Sequence, residues 1–341
     1  MKTLDGYRRG INLGGWLSQC PHTTQHYDSF ICEEDIMQIA SWGLDHIRLP
    51  IDHHLVQNED GSYIENGFIY IEKCIKWCQK HGLNIILDLH TTIGYAFYDQ
   101  EHANKFFEDK TLQEFFMKLW MEFAVRFGKY EKNIAFELLN EIVSTEQAKA
   151  WNDIAHQTVV VIRCLCPTIK ILIGGVCYNS IGTLSLLDPP YDENIIYNFH
   201  CYEPFLFTHQ GAYWVENMPQ DLLIEYPIST YDLYENSKVP KEMLGMFSKH
   251  KDLKQLDITY LDALFSEAYE LAKKRNVALY CGEYGVIDNA PLNSTVKWYH
   301  DMHVLFEKYG IGRSCWTYKQ MDFGITSEHY QEALQSIIHY L

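Results

Sequence analysis

Two glutamates each close a short apolar run. Glu141 follows Asn133-Ile134-Ala135-Phe136-Glu137-Leu138-Leu139-Asn140, and Glu283 follows Val277-Ala278-Leu279-Tyr280-Cys281-Gly282. Runs of this length and composition predict parallel strands covered on both faces. A carboxyl group at the C-terminal end of such a strand sits where barrel enzymes keep their chemistry. Two carboxyls roughly 5–5.5 Å apart suit glycoside hydrolysis with retention, one attacking the anomeric carbon and the other serving as acid and then base. Their proximity also separates their proton affinities, which keeps the acid protonated near neutrality. Other strand ends supply companions: Arg48, His90, Asn140, His200, Tyr202 and Trp316. All eight residues meet only if the strands close on one another.

The elements that must position them alternate along the whole chain. Strands are expected at Arg9 to Trp16, Asp45 to Pro50, Leu83 to Leu89, Asn133 to Glu141, Lys170 to Gly175, Ile195 to Tyr202, Val277 to Glu283 and Gly312 to Tyr318. Between them lie helical patterns at Glu33 to Trp42, Ile69 to His81, Leu112 to Phe127, Gln147 to Arg163, Thr259 to Arg275 and Ser294 to Tyr309. A short helical segment is expected from Ile181 to Leu187, and a closing helix from Glu328 to Tyr340. Eight βα units in order predict a (β/α)8 TIM barrel and one catalytic domain over residues 1–341. The rhythm breaks once. Residues 203–258, rich in Tyr, Pro, Met and Phe, are too long for an ordinary βα loop and read as a subdomain inserted in the sixth connection.

Composition narrows the partners. The 341 residues carry a net charge of −17, so nucleic acid and anionic membrane are not expected partners. Aromatic residues make up 14% of the chain, enough to fill a core and still line a sugar cleft. Ten cysteines are scattered without the spacing of a zinc ribbon or redox motif and read as small buried hydrophobes. The N-terminus lacks a signal-peptide core and no run is long enough to span a membrane, leaving the cytoplasm and the cell exterior both open. A monomer is expected. The adjacent His53-His54 pair is read as solvent-facing or subsite, since neighbours at a strand end point apart; no metal or cofactor is expected. Glu137 reads as a buried partner for a base such as Arg48. Trp16, Tyr95, Phe97, Trp214, Tyr318 and Lys319 are candidates for cleft walls and subsites.

The local motifs carry a family likeness. Arg9-Gly10-Ile11-Asn12-Leu13-Gly14-Gly15-Trp16, Ile47-Arg48-Leu49-Pro50, Phe136 to Glu141, Asn198-Phe199-His200-Cys201-Tyr202, Tyr280-Cys281-Gly282-Glu283-Tyr284-Gly285 and Cys315-Trp316-Thr317-Tyr318 together resemble glycoside hydrolase family 5, across essentially the whole chain. Within that family the chain is similar to small clostridial endoglucanases with a subdomain after the sixth strand. The resemblance implies roles. Glu141 would be the acid/base and Glu283 the nucleophile, with Asn140 on the sugar 2-hydroxyl. Tyr202 would donate to Glu283, Arg48 would keep it ionised, and His200 would position Glu141. His90 would bind sugar hydroxyls, and Trp316 would floor the subsite of the attacked sugar. Thr91 departs from members that place a second histidine or a glycine after the third-strand histidine. The expected activity is a retaining endo-β-glucanase acting on β-1,4 and mixed-linkage β-1,3-1,4-glucans. The alternatives are a mannanase, a β-1,3-glucanase, an exo-acting β-glucosidase, or a carbohydrate-binding barrel without catalysis.

Overall fold

The computed structural model describes residues 1–99, 105–235, 238–245, 247 and 252–341. Eight parallel strands close into a barrel: β1 (Arg9–Asn12), β2 (His46–Ile51), β3 (Asn84–Leu89), β4 (Ile134–Glu137), β5 (Lys170–Gly174), β6 (Ile195–His200), β9 (Ala278–Tyr284) and β10 (Gly312–Cys315), each paired to its sequential neighbour and β10 closing on β1. The remaining two, β7 (Ile228–Ser229) and β8 (Gln255–Leu256), form a small antiparallel ribbon. It lies in the stretch between β6 and the helix Ile258–Arg275, with the short helices Phe205–Thr208, Thr230–Glu235 and Lys241–Leu244.

Several strands stop earlier than expected. β1 ends at Asn12, β4 at Glu137 and β10 at Cys315, so Trp16, Asn140, Glu141 and Trp316 all lie past the ladder in the loops of the barrel mouth. The apolar runs continue because those loops are themselves buried, and hydrophobicity alone does not separate strand from buried loop. The segment after β5 is a 3-10 turn, Ile181–Leu186, not an α-helix.

Alternation decides what each strand sends inward. Ile86, Ala135, Leu172, Ile196, Ala278 and Tyr280 pack with Leu4 and Tyr7 as a plug inside the barrel, while the larger apolar layer lies between strands and helices. Counting by twos from that plug toward the mouth gives Asp88, Glu137 and Asn198 as the next inward residues. Helices end where a left-handed residue turns the chain back, as at Gly82 (φ 75°) and Asn276 (φ 51°). Cys74, Cys78, Cys166, Cys201, Cys281 and Cys315 are buried free thiols as expected, whereas Cys32, Cys164 and Cys177 are exposed. Among the described residues no helix is long and apolar enough to cross a membrane.

Candidate active site

Arg48 is the fixed point of the barrel mouth. It is fully buried on β2, and its guanidinium donors all find acceptors. Nε and Nη2 hold Glu137 in a bidentate pair at 2.8 and 2.7 Å; Nη1 reaches Asn12 Oδ1 at 3.0 Å and Glu283 Oε1 at 2.8 Å; Nη2 also meets Asn140 Oδ1 at 2.8 Å and Asp88 Oδ2 at 3.0 Å. Because Arg48 only donates, the oxygen of the Asn140 amide must face it, which fixes the amide's orientation. Burial works against the Arg48 charge, but Asp88, Glu137 and Glu283 outweigh it and hold the guanidinium protonated.

Glu283 reaches the cleft through a local irregularity. Ala278 and Tyr280 point into the barrel, so an unbroken β9 would aim Gly282 inward and Glu283 outward. The register instead slips between Phe199↔Cys281 and His200↔Glu283, and again against β10. The extra residue is Gly282, a β-bulge that reverses the parity and turns Glu283 inward. Only glycine fits: a Cβ there would stand 2.8 and 2.9 Å from the Asn198 amide and 3.1 Å from His200 Nε2. Asn198 braces the bulge, accepting from Gly282 N–H at 2.9 Å and donating to Glu137 at 2.7 Å. Tyr202 donates its hydroxyl to the second Glu283 oxygen at 2.9 Å.

Glu141 is held differently. It lies past β4, and Tyr95 fastens its backbone: the Tyr95 hydroxyl donates to Glu141 O at 2.6 Å and accepts from Val143 N–H at 3.0 Å. Its Oε1 is 2.7 Å from His200 Nδ1. His200 Nε2 is buried with no protein partner among the described residues. A bare lone pair there costs less than an unpaired donor, so the proton sits on Nδ1 and is donated to Glu141. One oxygen each of Glu141 and Glu283, together with the His200 nitrogen, lie within 4.8 Å of one another.

The electrostatics separate the two carboxyls. Burial, then the neighbouring Glu283 charge, hold Glu141 well above the usual carboxylate range. Burial also raises Glu283, but the Arg48 charge and the Tyr202 hydroxyl oppose it. Burial pushes Asp88 and Glu137 up to about 7, with Arg48 opposing. Burial lowers His90 to about 4 and takes His200 well below its ordinary value, so both rings are neutral near pH 7. Among the described residues, Arg48 thus stands as the side-chain cation amid Asp88, Glu137, Glu141 and Glu283.

The remaining candidates divide. His90 lies parallel to Trp316, with ring centroids 5.8 Å apart and a 2° interplanar angle, and meets Phe97 edge-on at 5.3 Å. Gly14 lets that indole lie close, since a Cβ there would come within 2.8 Å of it. Trp214 is 46% exposed and continues a ring series from Tyr202 through His209, with Phe323 beside it. Trp16 corrects the expectation: it is fully buried, donates its Nε1–H to Tyr27 O and stacks on Trp77, so no face is left for a ligand. Tyr318 is likewise core, bonded to Asp35 and Gln38, and Lys319 pairs with Asp35 at 2.7 Å. Tyr95 is buried and serves the Glu141 loop instead of a cleft wall. The His53 and His54 rings do not point apart; a 3-10 turn over residues 53–55 brings their centroids to 3.9 Å.

Sequence reasoning passed over Asp88, Asn12, Asn198 and Gln19. Asp88 holds His90 Nδ1 at 2.6 Å, and Gln19 Oε1 meets its Nε2 at 3.3 Å. The signal for Asp88 and Asn198 was present: each lies two residues before a chosen strand-end histidine, on the same face. Gln19 gives no such signal, because it comes from an irregular loop.

The chain matches the cellulase (glycosyl hydrolase family 5) model over residues 9–322. It is 41% identical to "Cellodextrinase A" of Ruminococcus flavefaciens over 91% of this chain and 85% of that one, and 39% identical to "Endoglucanase C" of Acetivibrio thermocellus over 98% of each. Among solved structures it resembles the cellulose synthase subunit Z of Clostridioides difficile (25% identity, TM-score 0.77, 98% and 99% covered) and endoglucanase Cel5A of Thermotoga maritima (24%, 0.78, 98% and 97%). With a family match over nearly its whole length and a (β/α)8 barrel to carry it, the chain belongs to glycoside hydrolase family 5, the cellulase family, and is a glycoside hydrolase.

Proposed function

We propose that the chain is a retaining endo-β-glucanase, with Glu283 as nucleophile and Glu141 as acid/base. The observation that carries this reading is the unequal environment of two carboxyls whose nearest oxygens lie within 4.8 Å. That spacing favours a covalent glycosyl-enzyme over an inverting route, which needs carboxyls about 6.5–9.5 Å apart to admit water. Arg48 and Tyr202 favour the charged form of Glu283, which then attacks the anomeric carbon. Glu141 keeps its proton and gives it to the leaving oxygen; the resulting carboxylate next deprotonates the water that releases the sugar. His200 holds Glu141 in place by its Nδ1–H. Asn140, its oxygen fixed by Arg48, presents its NH2 to the sugar 2-hydroxyl, a contact that strengthens as positive charge develops on the ring. Trp316, parallel to His90, floors the subsite of the attacked sugar.

The substrate class rests on the relatives' names, a cellodextrinase and an endoglucanase, and is β-1,4-glucan in polymers or soluble oligosaccharides, with mixed-linkage β-1,3-1,4-glucan alongside. The exposed Trp214, on the 203–258 stretch that we take as an inserted subdomain, supports an aglycone wall beyond Tyr202. A related structure holds mannotriose (25% identity), so mannan belongs in the same assay.

The test follows the first-formed anomer by NMR during hydrolysis of barley β-glucan. β-configured product is expected, and α-product would overturn Glu283 as nucleophile. Reducing-end release from carboxymethylcellulose, laminarin and mannan, measured in parallel, ranks the substrates. Glu283→Gln should lose nearly all turnover on every substrate. Glu141→Gln should lose it on glucan while keeping a first-step burst on aryl glycosides, whose leaving groups need no proton.

A further inference from the structure

Apart from the Glu141–His200–Glu283 group, the turn after β2 gathers a second set of ligating side chains. His53 and His54 occupy the turn 53–55, and Glu59 lies in the loop beyond it. Glu59 Oε1 is 3.5 Å from His53 Nε2 and 3.9 Å from His54 Nε2, and one ligand atom from each residue lies within 4.8 Å of the others. Ligands set tetrahedrally about 2.0–2.1 Å from zinc stand roughly 3.3 Å from one another. His54 and Glu59 are exposed side chains, free to close the remaining gap by small rotations.

The hydrogen bonds around His53 make the stronger argument. Thr91 Oγ1 has one hydrogen, and Asp52 Oδ1, 3.1 Å away, can only accept it. Toward His53 Nδ1, 3.0 Å away, Thr91 is therefore the acceptor, and that nitrogen carries the ring hydrogen. Nε2 is then a bare lone pair facing the Glu59 carboxylate, acceptor against acceptor. A cation between the two relieves the conflict. The chain Asp52–Thr91–His53 is also the kind of outer support that fixes the tautomer of a metal-bound imidazole. His54 is held over the site by ring contacts with His53 at 3.9 Å and His22 at 5.4 Å.

We propose that His53 Nε2, His54 Nε2 and Glu59 Oε1 bind one divalent transition-metal ion of the zinc class, with solvent completing its coordination. The ion ties the loop carrying Glu59 to the barrel mouth. The tie ends beside the sugar site, because Thr91 directly follows His90, and Gln19 joins Asp52 (N–H donated, 2.7 Å) to the His90 ring.

The experiment titrates the metal-free full chain with Zn2+ by calorimetry and with Co2+ by visible absorption. Expected are one equivalent bound, cobalt d–d bands without thiolate charge transfer, and a higher thermal midpoint. His54→Ala and Glu59→Gln, both at exposed positions, should each weaken binding at least about tenfold while glucan turnover persists. No binding, or a thiolate band from the cysteines, would overturn the proposal. So would binding that survives His54→Ala and vanishes in Glu141→Gln, since that ion would sit among Glu141, His200 and Glu283.

Discussion

Replacing Gly282 by alanine tests how the bulge aims Glu283, the proposed nucleophile. The added Cβ would stand 2.8 and 2.9 Å from the Asn198 amide atoms, about half an ångström inside ordinary contact. Two responses can relieve it. Asn198 can turn away, weakening its bond to the Glu137 carboxylate (2.7 Å) and to Gly282 N–H (2.9 Å). Such bonds contribute about 1.5–3 kcal/mol when one partner is charged and about 0.5–1.5 when both are neutral. The stiffer unfolded chain returns about 0.4–1 kcal/mol. The net loss is then about 1–4 kcal/mol. Alternatively the bulge shifts outward by about half an ångström and carries Glu283 with it. A misplacement of about 1 Å can cost about a hundredfold in rate, so half of that costs about tenfold. Chemical denaturation and turnover of an aryl β-cellobioside by the folded variant separate the two responses. Gly182→Ala is the control, because its Cβ would meet nothing closer than 3.9 Å. An unchanged unfolding midpoint together with turnover within twofold of the parent would refute this account of the bulge.

Tyr202→Phe removes a hydrogen bond to the charged form of Glu283, so the Glu283 pKa rises and the acid limb of the kcat/KM profile moves to higher pH. The loss in kcat/KM should be about tenfold to a hundredfold, and an unmoved acid limb would count against the assigned contact. Glu141→Gln should stabilise the fold at alkaline pH. The native Glu141 pKa is raised, so the carboxyl is neutral in both states below its unfolded value near 4.3, and the cost of ionising it grows as pH rises toward the folded value. Thermal midpoints at pH 5 and pH 9 should show the variant's advantage widening with pH. Trp16→Ala should cost about 3–5 kcal/mol of stability, read by denaturation, with glucan turnover per folded molecule unchanged. Impaired turnover would return Trp16 to the cleft.

Long-range order was legible in this sequence because the eight βα units repeat two periodicities that physics enforces. Strand alternation likewise marked Glu137, which Arg48 holds in a bidentate pair as a buried partner. Strand ends were less legible. Leu138 and Leu139 are as apolar in a buried loop as in a ladder, so Asn140 and Glu141 read as strand when they are not. The bulge was hidden, since only a register slip distinguishes Gly282 from any strand glycine. Exposure was hardest of all. Trp16 and Trp214 are the same residue type, and whether an indole faces a core or a cleft depends on neighbours far away in sequence, such as Trp77 and Phe323. The His53-His54 pair was misread because a helical turn, not a strand end, carries it.

The two carboxyls of the proposed catalytic pair are mounted on unequal footings. Glu283 is part of the sheet, and Arg48, Tyr202 and the Asn198-braced bulge lock it in from several strands at once. Glu141 sits on a loop past β4 whose backbone is fastened by the Tyr95 phenol on either side of it, with Asn140 N–H donating to Leu89 O and Tyr178 N–H to Ile142 O. The architecture is therefore modular. On the proposed mechanism, a change at Tyr95 would loosen Glu141 and slow cleavage of glucan while sparing the first step on aryl glycosides, so the acid step can be retuned for a new pH or leaving group without rebuilding the barrel.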